Sequence, residues 1–374
     1  MKSATKFSLI LIALVVLSVF GIASPEPKKK VLIGFKGDPD DNLVKVHGGD
    51  VKHKFHIVKA VAADIPESEI AKLKKNSNVA YVEEDAIATT AGKPVPYQPP
   101  QTLSWGIDRV DGELSWSTAT GAGVKVAVID TGIDIAHPDL KNNVKGGVNF
   151  VATARNYKDD NGHGTHVAGI ISSENNGIGV VGVSPKASLY AVKVLDRTGS
   201  GYYSSIIAGL QWAVDNGMQV ASMSLGGSAD SQALHDAVDN AYSKGVLLVA
   251  ASGNEAGKVS YPAAYSSVIA VSATDSNNNL ASFSNYGNEI SLSAPGVSIY
   301  STYKGGGYAT LSGTSMAAPH VSGAAALAIQ SHPGYTNFQI RDLLARTSID
   351  LGAAGLDAQY GYGLVNAYNA VVSN

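Results

Sequence analysis

The sequence predicts an α/β fold, a mostly parallel sheet covered by helices, with a smaller α+β unit ahead of it. Three observations carry that expectation. From residue 123 onward, short apolar runs alternate with helical stretches at the spacing of βαβ units. The stretch 88–101, ATTAGKPVPYQPPQ, puts four prolines into fourteen residues and reads as an exposed linker. Composition then shifts towards glycine, serine and alanine: residues 101–374 hold 20 acids and 14 bases, which leaves 11 acids and 14 bases in the first hundred.

Taken in order, the chain opens with Lys2 and Lys6 and then a fourteen-residue apolar run, 7–20. That run is short for a membrane span. A secretory signal over 1–24, cut near Ala23 or Ser24, is the better reading, giving a secreted product with no lasting membrane anchor. In the small unit, 25–87, strands are expected at 31–36 and 79–85 and one or two strands within 53–65. A helix is expected over 66–76, with Pro66 early and Glu67 and Glu69 in its first turn. After the linker, 88–100, the large unit 101–374 should place strands at 123–130, 187–195, 220–226, 246–252 and 268–274. Helices fall at 164–173, 203–217 and 229–245, the last two closed by glycine. A final helix follows the turn in LSGTSMAAPHVSGAAALAIQ, 311–330. Ligand chemistry in such a sheet gathers at the C-terminal ends of the strands.

The chain has no cysteine, so neither disulfides nor thiol chemistry enter, and a net charge of −3 gives no footprint for nucleic acid. Three polar residues stand at strand ends or helix starts: Asp130 in VIDTGID, His163 in NGHGTHVAG and Ser315 in GTSMAAPH. Each alone has an ordinary structural reading, as a capping aspartate, a packed histidine or an N-cap serine. Together they supply an acid, a base and a nucleophile.

The blocks VIDTGIDIAHPDL, HGTHVAGI and GTSMAAPHVSGAAAL resemble the three active-site blocks of the secreted subtilisin-type serine proteases (subtilases, peptidase family S8), in that family's order. The resemblance runs from about residue 31 to 370. It implies a three-layer subtilisin-like domain behind a small ferredoxin-like propeptide, and a serine endopeptidase acting through an acyl-enzyme. Ser315 would be the nucleophile, His163 the base and Asp130 the residue that orients it. Asn254, in AASGNEAG, would join the Ser315 backbone N–H as the oxyanion donors. Pro319 is expected in the first turn of the last helix, where its missing N–H costs little.

By the same resemblance, a peptide substrate would add as a strand between Gly199-Ser200-Gly201 and Ser224-Leu225-Gly226. Ser252, Gly253 and Ser260 would wall the first pocket, and Leu225, Tyr203 and Ile206 an apolar pocket further along. Broad specificity with an apolar or aromatic preference follows. A structural calcium ion, Ca2+, would take side chains of Gln101, Asp139 and Asn176 and backbone oxygens of Glu174, Ile178 and Val180. The propeptide would serve as intramolecular chaperone and inhibitor, released by a self-inflicted cut between Glu84 and Gln101, and the mature enzyme would be a monomer. Tyr261-Pro262 matches a position where the family has a cis proline. His166 reads as a packing histidine, since HExxH is absent and no third metal ligand is suitably spaced. Two other classes compete. An esterase on a nucleophile elbow would want glycine where Ala317 stands. A non-catalytic binding protein would have no use for Asp130, His163, Ser315 and Asn254 together.

Overall fold

The computed structural model describes residues 26–55, 58–86, 98–152 and 156–373. The signal segment 1–24 and most of the linker fall outside the described residues. The chain divides into two compact units, residues 1–94 and 95–374.

The first unit runs β1 (Lys28–Phe35), α1 (Asp41–Val46), β2 (Asp50–Lys54), β3 (Ala60–Pro66), α2 (Glu67–Lys74) and β4 (Val79–Glu84). Its antiparallel sheet has the order β2-β3-β1-β4, the βαββαβ arrangement of ferredoxin-like units. Alternate residues of β1, namely Val31, Ile33 and Phe35, face a core completed by Val44, Val61, Ile65 and Leu73. Asp40 caps α1, accepting the N–H groups of Asn42 and Leu43. Pro66 ends β3 and is the N-cap of α2 rather than part of the helix.

The second unit begins with α3 (Trp105–Arg109) and then builds a seven-stranded sheet. Its strands are β5 (Lys125–Asp130), β6 (Val144–Asn149), β7 (Ser188–Lys193), β8 (Val220–Met223), β9 (Leu247–Ala251), β10 (Val268–Thr274) and β11 (Ile290–Pro295). The order is β11-β10-β9-β8-β5-β7-β6 and every pairing is parallel. Helices α4 (His163–Ser172), α5 (Tyr203–Asp215) and α6 (Gln232–Ser243) connect strands. The hairpin β12 (Ile299–Tyr303) and β13 (Gly307–Leu311) leads into α7 (Thr314–Ser331), then α8 (Asn337–Arg346) and α9 (Ala367–Val372). Among the described residues no helix is long and apolar enough to cross a membrane.

Each central strand is buried on both faces, which is why β5, β9 and β10 read as unbroken apolar runs. Val126 and Val128 point to one core with α4 and α7, whereas Ala127 and Ile129 point to the other with α5 and α6. The helices α4 and α7 thus share one face of the sheet, so that His163 and Ser315 both lie in the first turn of helices on that side.

Candidate active site

Asp130 is the last residue of β5 and is wholly buried. His163 is the first residue of α4, on the neighbouring connection. The His163 Nδ1–H donates to Asp130 Oδ1 at 2.8 Å, an oxygen that also accepts the Thr131 N–H at 2.7 Å. A carboxylate can only accept, so this bond fixes the tautomer with Nε2 bare whenever the ring is neutral. Burial pushes the imidazole pKa down, but the charge of Asp130, its hydrogen bond and the charge of Asp159 outweigh that and hold it raised. Close approach of α4 to β5 requires Gly164, where a Cβ would sit 2.2 Å from the Gly132 carbonyl oxygen and 3.1 Å from Asp130 Oδ1.

Ser315 is the second residue of α7 and half-buried. Its hydroxyl donates to the Ser224 carbonyl at 3.2 Å, and the Ser224 hydroxyl donates back to the Ser315 carbonyl at 2.8 Å. The second bond traces to Pro319. That proline lies one turn inside the helix, not in the first turn as expected, because α7 starts at Thr314. It has no N–H for the Ser315 carbonyl four residues back, and Ser224 supplies the missing donor. Asn254 lies beside the same helix start. Its Oδ1 accepts the N–H of Thr314 at 2.8 Å and the Thr314 hydroxyl at 3.0 Å.

His163 opens onto a cavity of about 500 Å³. Gly199, Ser200, Gly201, Tyr203, Ile206, Ser224, Leu225 and Gly226 line it, which brings eight of the expected substrate-binding residues to one cleft. Thr131, Asn161, Leu195 and Thr198 line it as well and were missed. They are ordinary loop residues, and only adjacency to the motifs could have suggested them. Ser252, Gly253 and Ser260 lie in a neighbouring wall organised by Asn285, whose Nδ2 donates to the carbonyls of Ser252 (3.1 Å) and Lys258 (2.7 Å). Its Oδ1 accepts the N–H groups of Glu255 (2.8 Å) and Gly257 (3.0 Å). Ser252 is itself buried, whereas Ser260 approaches Gly226, where a Cβ would meet the Ser260 Cβ at 3.0 Å. Gly227 and Tyr261 exchange backbone hydrogen bonds at 2.9 Å, and Tyr261-Pro262 is cis. His166 is buried, its Nε2 facing the carbonyls of Ile299 and Ala309 at 3.1 Å.

Residues 121–363 match the subtilase family, Peptidase_S8. The chain is 48% identical to subtilisin J of Geobacillus stearothermophilus over 368 residues, which is 95% of this chain and 93% of that one. It is 49% identical to subtilisin E of Bacillus subtilis (strain 168), covering 92% of this chain and 90% of that one. Identity to an alkaline protease of Alkalihalobacillus alcalophilus is 46%, over 96% and 95% of the two chains. The chain belongs to the subtilase family. It is a serine endopeptidase, and the esterase and pure-binding alternatives fall away.

For this subtilase the calcium expectation is corrected. Among the described residues there is no group of three or more His, Cys, Asp or Glu that could hold a metal ion. Gln101, Asn176 and Asp139 each give one expected side-chain oxygen to protein donors, whereas Asp139 Oδ1 is buried with no partner among the described residues. Gln101 Oε1 accepts the N–H groups of Asn176 (3.0 Å) and Gly177 (2.9 Å), and Asn176 Oδ1 accepts that of Ile178 (3.1 Å). Asp139 Oδ2 accepts the Val180 N–H at 2.9 Å, with burial lifting this carboxyl to about 7. The Glu174 carboxylate turns to Asn142. Backbone bonds from Gln101 to Gly177 (3.1 Å) and from Thr102 to Gly179 (2.8 Å) hold the strap against this loop.

Proposed function

We propose that this subtilase cuts peptide bonds with Ser315, His163 and Asp130 and is made as a secreted zymogen that processes itself. The observation that carries the reading is the Asp130–His163 hydrogen bond, whose imidazole stands at the wall of a cleft lined by residues 199–201 and 224–226.

In this reading Ser315 Oγ turns from the Ser224 carbonyl towards His163 as substrate binds, since catalytic hydrogen bonds often tighten only in the complex. It attacks the scissile carbonyl carbon while His163 Nε2 takes its proton. Asp130 holds the ring and stabilises the imidazolium without itself being protonated. The oxyanion lies between Asn254 Nδ2 and the Ser315 N–H, which also stands at the positive end of α7. Collapse breaks the C–N bond, and His163 returns the proton to the leaving amine. Water, deprotonated by His163, then attacks the acyl carbon; the C–O bond to Ser315 breaks, and His163 returns the proton to Oγ.

Substrate lies extended between the two cleft segments, as a strand would. Gly226 leaves room for a large apolar or aromatic side chain and Ser260 closes the floor of that pocket. Tyr203, Ile206 and Leu225 take an apolar side chain further along, with Ser252 and Gly253 in the supporting wall. The first unit, ordered by its own small core, serves as chaperone and inhibitor until a cut between Glu84 and Gln101 frees a monomeric enzyme. Residues 1–24 direct export.

Intact mass of the secreted products of wild type and Ser315→Ala, made side by side, tests this. Wild type should lose about its first hundred residues while the variant keeps the first unit attached. Identical trimming of both refutes self-processing, and peptide hydrolysis by Ser315→Ala refutes the assignment of the nucleophile.

A further inference from the structure

Among the buried carboxylates that the proposed triad leaves without a role, Asp159 is the nearest in sequence to His163. Asp159 is 3% exposed and lies four residues before His163. Five donors meet it. Oδ1 accepts the Thr131 hydroxyl at 2.9 Å and the N–H groups of Asn161 at 2.9 Å and Gly162 at 2.8 Å. Oδ2 accepts the Thr165 N–H at 3.0 Å and the Thr165 hydroxyl at 2.6 Å. A helix cap would need only the donors of the loop and of α4. The Thr131 arm reaches a different element, at the residue directly after Asp130. Thr131 Oγ1 also accepts the Gly164 N–H at 2.9 Å. One carboxylate is therefore tied to the chain on both sides of the Asp130–His163 bond.

We propose that Asp159 is a positioning residue for catalysis, holding His163 in register with Asp130 and supplying a second negative charge behind the imidazolium. The proposal rests on the triad reading above. The raised pKa of His163 agrees with it, since burial opposes that shift and Asp130 and Asp159 both favour it. The other charged and titratable groups around this corner are accounted for. On α4, the next turn carries His166. From β7, the Lys193 ammonium is spent on the carbonyls of Thr131 (2.7 Å) and Leu195 (2.9 Å) and on Asp160 (2.7 Å). Beyond β12, Lys304 holds the Asp160 carbonyl at 2.8 Å, and the Tyr303 hydroxyl donates to the Asn161 carbonyl at 3.2 Å. Among the described residues, Asp130 and Asp159 are thus the two buried carboxylates whose charge favours the protonated ring.

The test uses Asp159→Asn, which removes the charge with little change of shape, in two settings. In the full chain carrying Ser315→Ala, which cannot digest itself, the His163 ring is titrated by 15N NMR with and without Asp159→Asn. In the active enzyme, peptide hydrolysis is followed against pH. The expected result is a His163 titration moved down by about half to one pH unit, with the acid limb of kcat/KM moving in parallel. kcat should fall about tenfold or more while KM changes less than about threefold. An unmoved His163 titration, or wild-type kcat in Asp159→Asn, overturns the proposal. Thr131→Val leaves the charge and cuts the arm to Asp130. It should lower kcat without shifting the acid limb, and wild-type kcat in this variant overturns the positioning claim even if Asp159→Asn does not fold. His163→Ala, run in parallel, keeps the two readings apart: retained hydrolysis there would sink the triad itself.

Discussion

Acid should destabilise the fold through two buried histidines, one on α4 and one on α7. His166 on α4 and His320 on α7 are both fully buried. Burial, the dominant cause for each, pushes both down to about 4. Among the described residues, His166 Nδ1 and His320 Nε2 have no hydrogen-bond partner, so neither ring has an acceptor there waiting for a second proton. Unfolded, each titrates at about 6.5. The unfolded chain therefore binds more protons between these values, and stability present above pH 6.5 is lost as pH falls towards 4. From that difference each histidine costs about 2 kcal/mol at pH 5 and about 3 kcal/mol at pH 4. The assay is urea unfolding from pH 7 to pH 4.5 in a Ser315→Ala background, comparing His320 with His320→Leu. Leucine is similar in volume and forfeits only the 2.8 Å bond from Nδ1 to the Met316 carbonyl. The raised pKa of His163 works with the opposite sign, stabilising at low pH, but it is common to both proteins and cancels. Between pH 7 and pH 5 the histidine protein should lose about 2 kcal/mol more than the leucine protein. A difference between the two that stays constant with pH would refute the reasoning.

Two substitutions address the site directly. Asn254→Ala should cost about 10²–10³ in kcat with little change in KM, a magnitude measured in subtilisin, to which this chain is related; an unchanged kcat would remove Asn254 from the oxyanion site. Gly164→Ala puts a methyl 2.2 Å from the Gly132 carbonyl oxygen and beside Asp130. It should lower kcat about a hundredfold by shifting His163, while circular dichroism stays native; wild-type turnover would show that α4 can retreat without moving the base.

What the sequence disclosed follows from where side chains face. The strands β5, β9 and β10 were legible because burial on both faces demands unbroken apolar runs. β6 was not, since VKGGVN carries two glycines, one of which leaves no room for a side chain against the Ala191 carbonyl oxygen. The α1 helix has only six residues and the β12–β13 hairpin is half-buried, so neither gives a strong periodic signal. The proposed triad residues Asp130, His163 and Ser315 stood out because each lies at the end or the start of an element. The supporting groups did not: Asp159, Thr131 and Asn285 act through buried hydrogen bonds between distant segments, which spacing along the chain does not encode. The calcium expectation failed for a related reason. Residue types set out a plausible ring of oxygens, but which backbone N–H each oxygen meets is settled only by the fold.

The small residues of α7 make sense in the same terms. An alanine-rich helix buries less apolar area per residue than a leucine-rich one, and hydrophobic stabilisation scales with that area. Yet fourteen of its residues are buried, from Thr314 to Ala328. Such a helix sits close to its neighbours: a Cβ on Gly323 would meet the Val183 Cβ at 2.6 Å. α4 follows the same rule, with Gly169 facing Thr302 Oγ1 where a Cβ would lie 2.2 Å away. Close contacts between rigid backbones leave few alternative arrangements, because a shift of a few tenths of an ångström meets another main chain or a β-branched stem. Flexible large side chains could fill the same volume but would tolerate sliding. The helices α4, which begins with His163, and α7, which carries Ser315 in its first turn, are therefore packed for position rather than for buried area, which is what the proposed reaction, sensitive to displacements of about an ångström, requires.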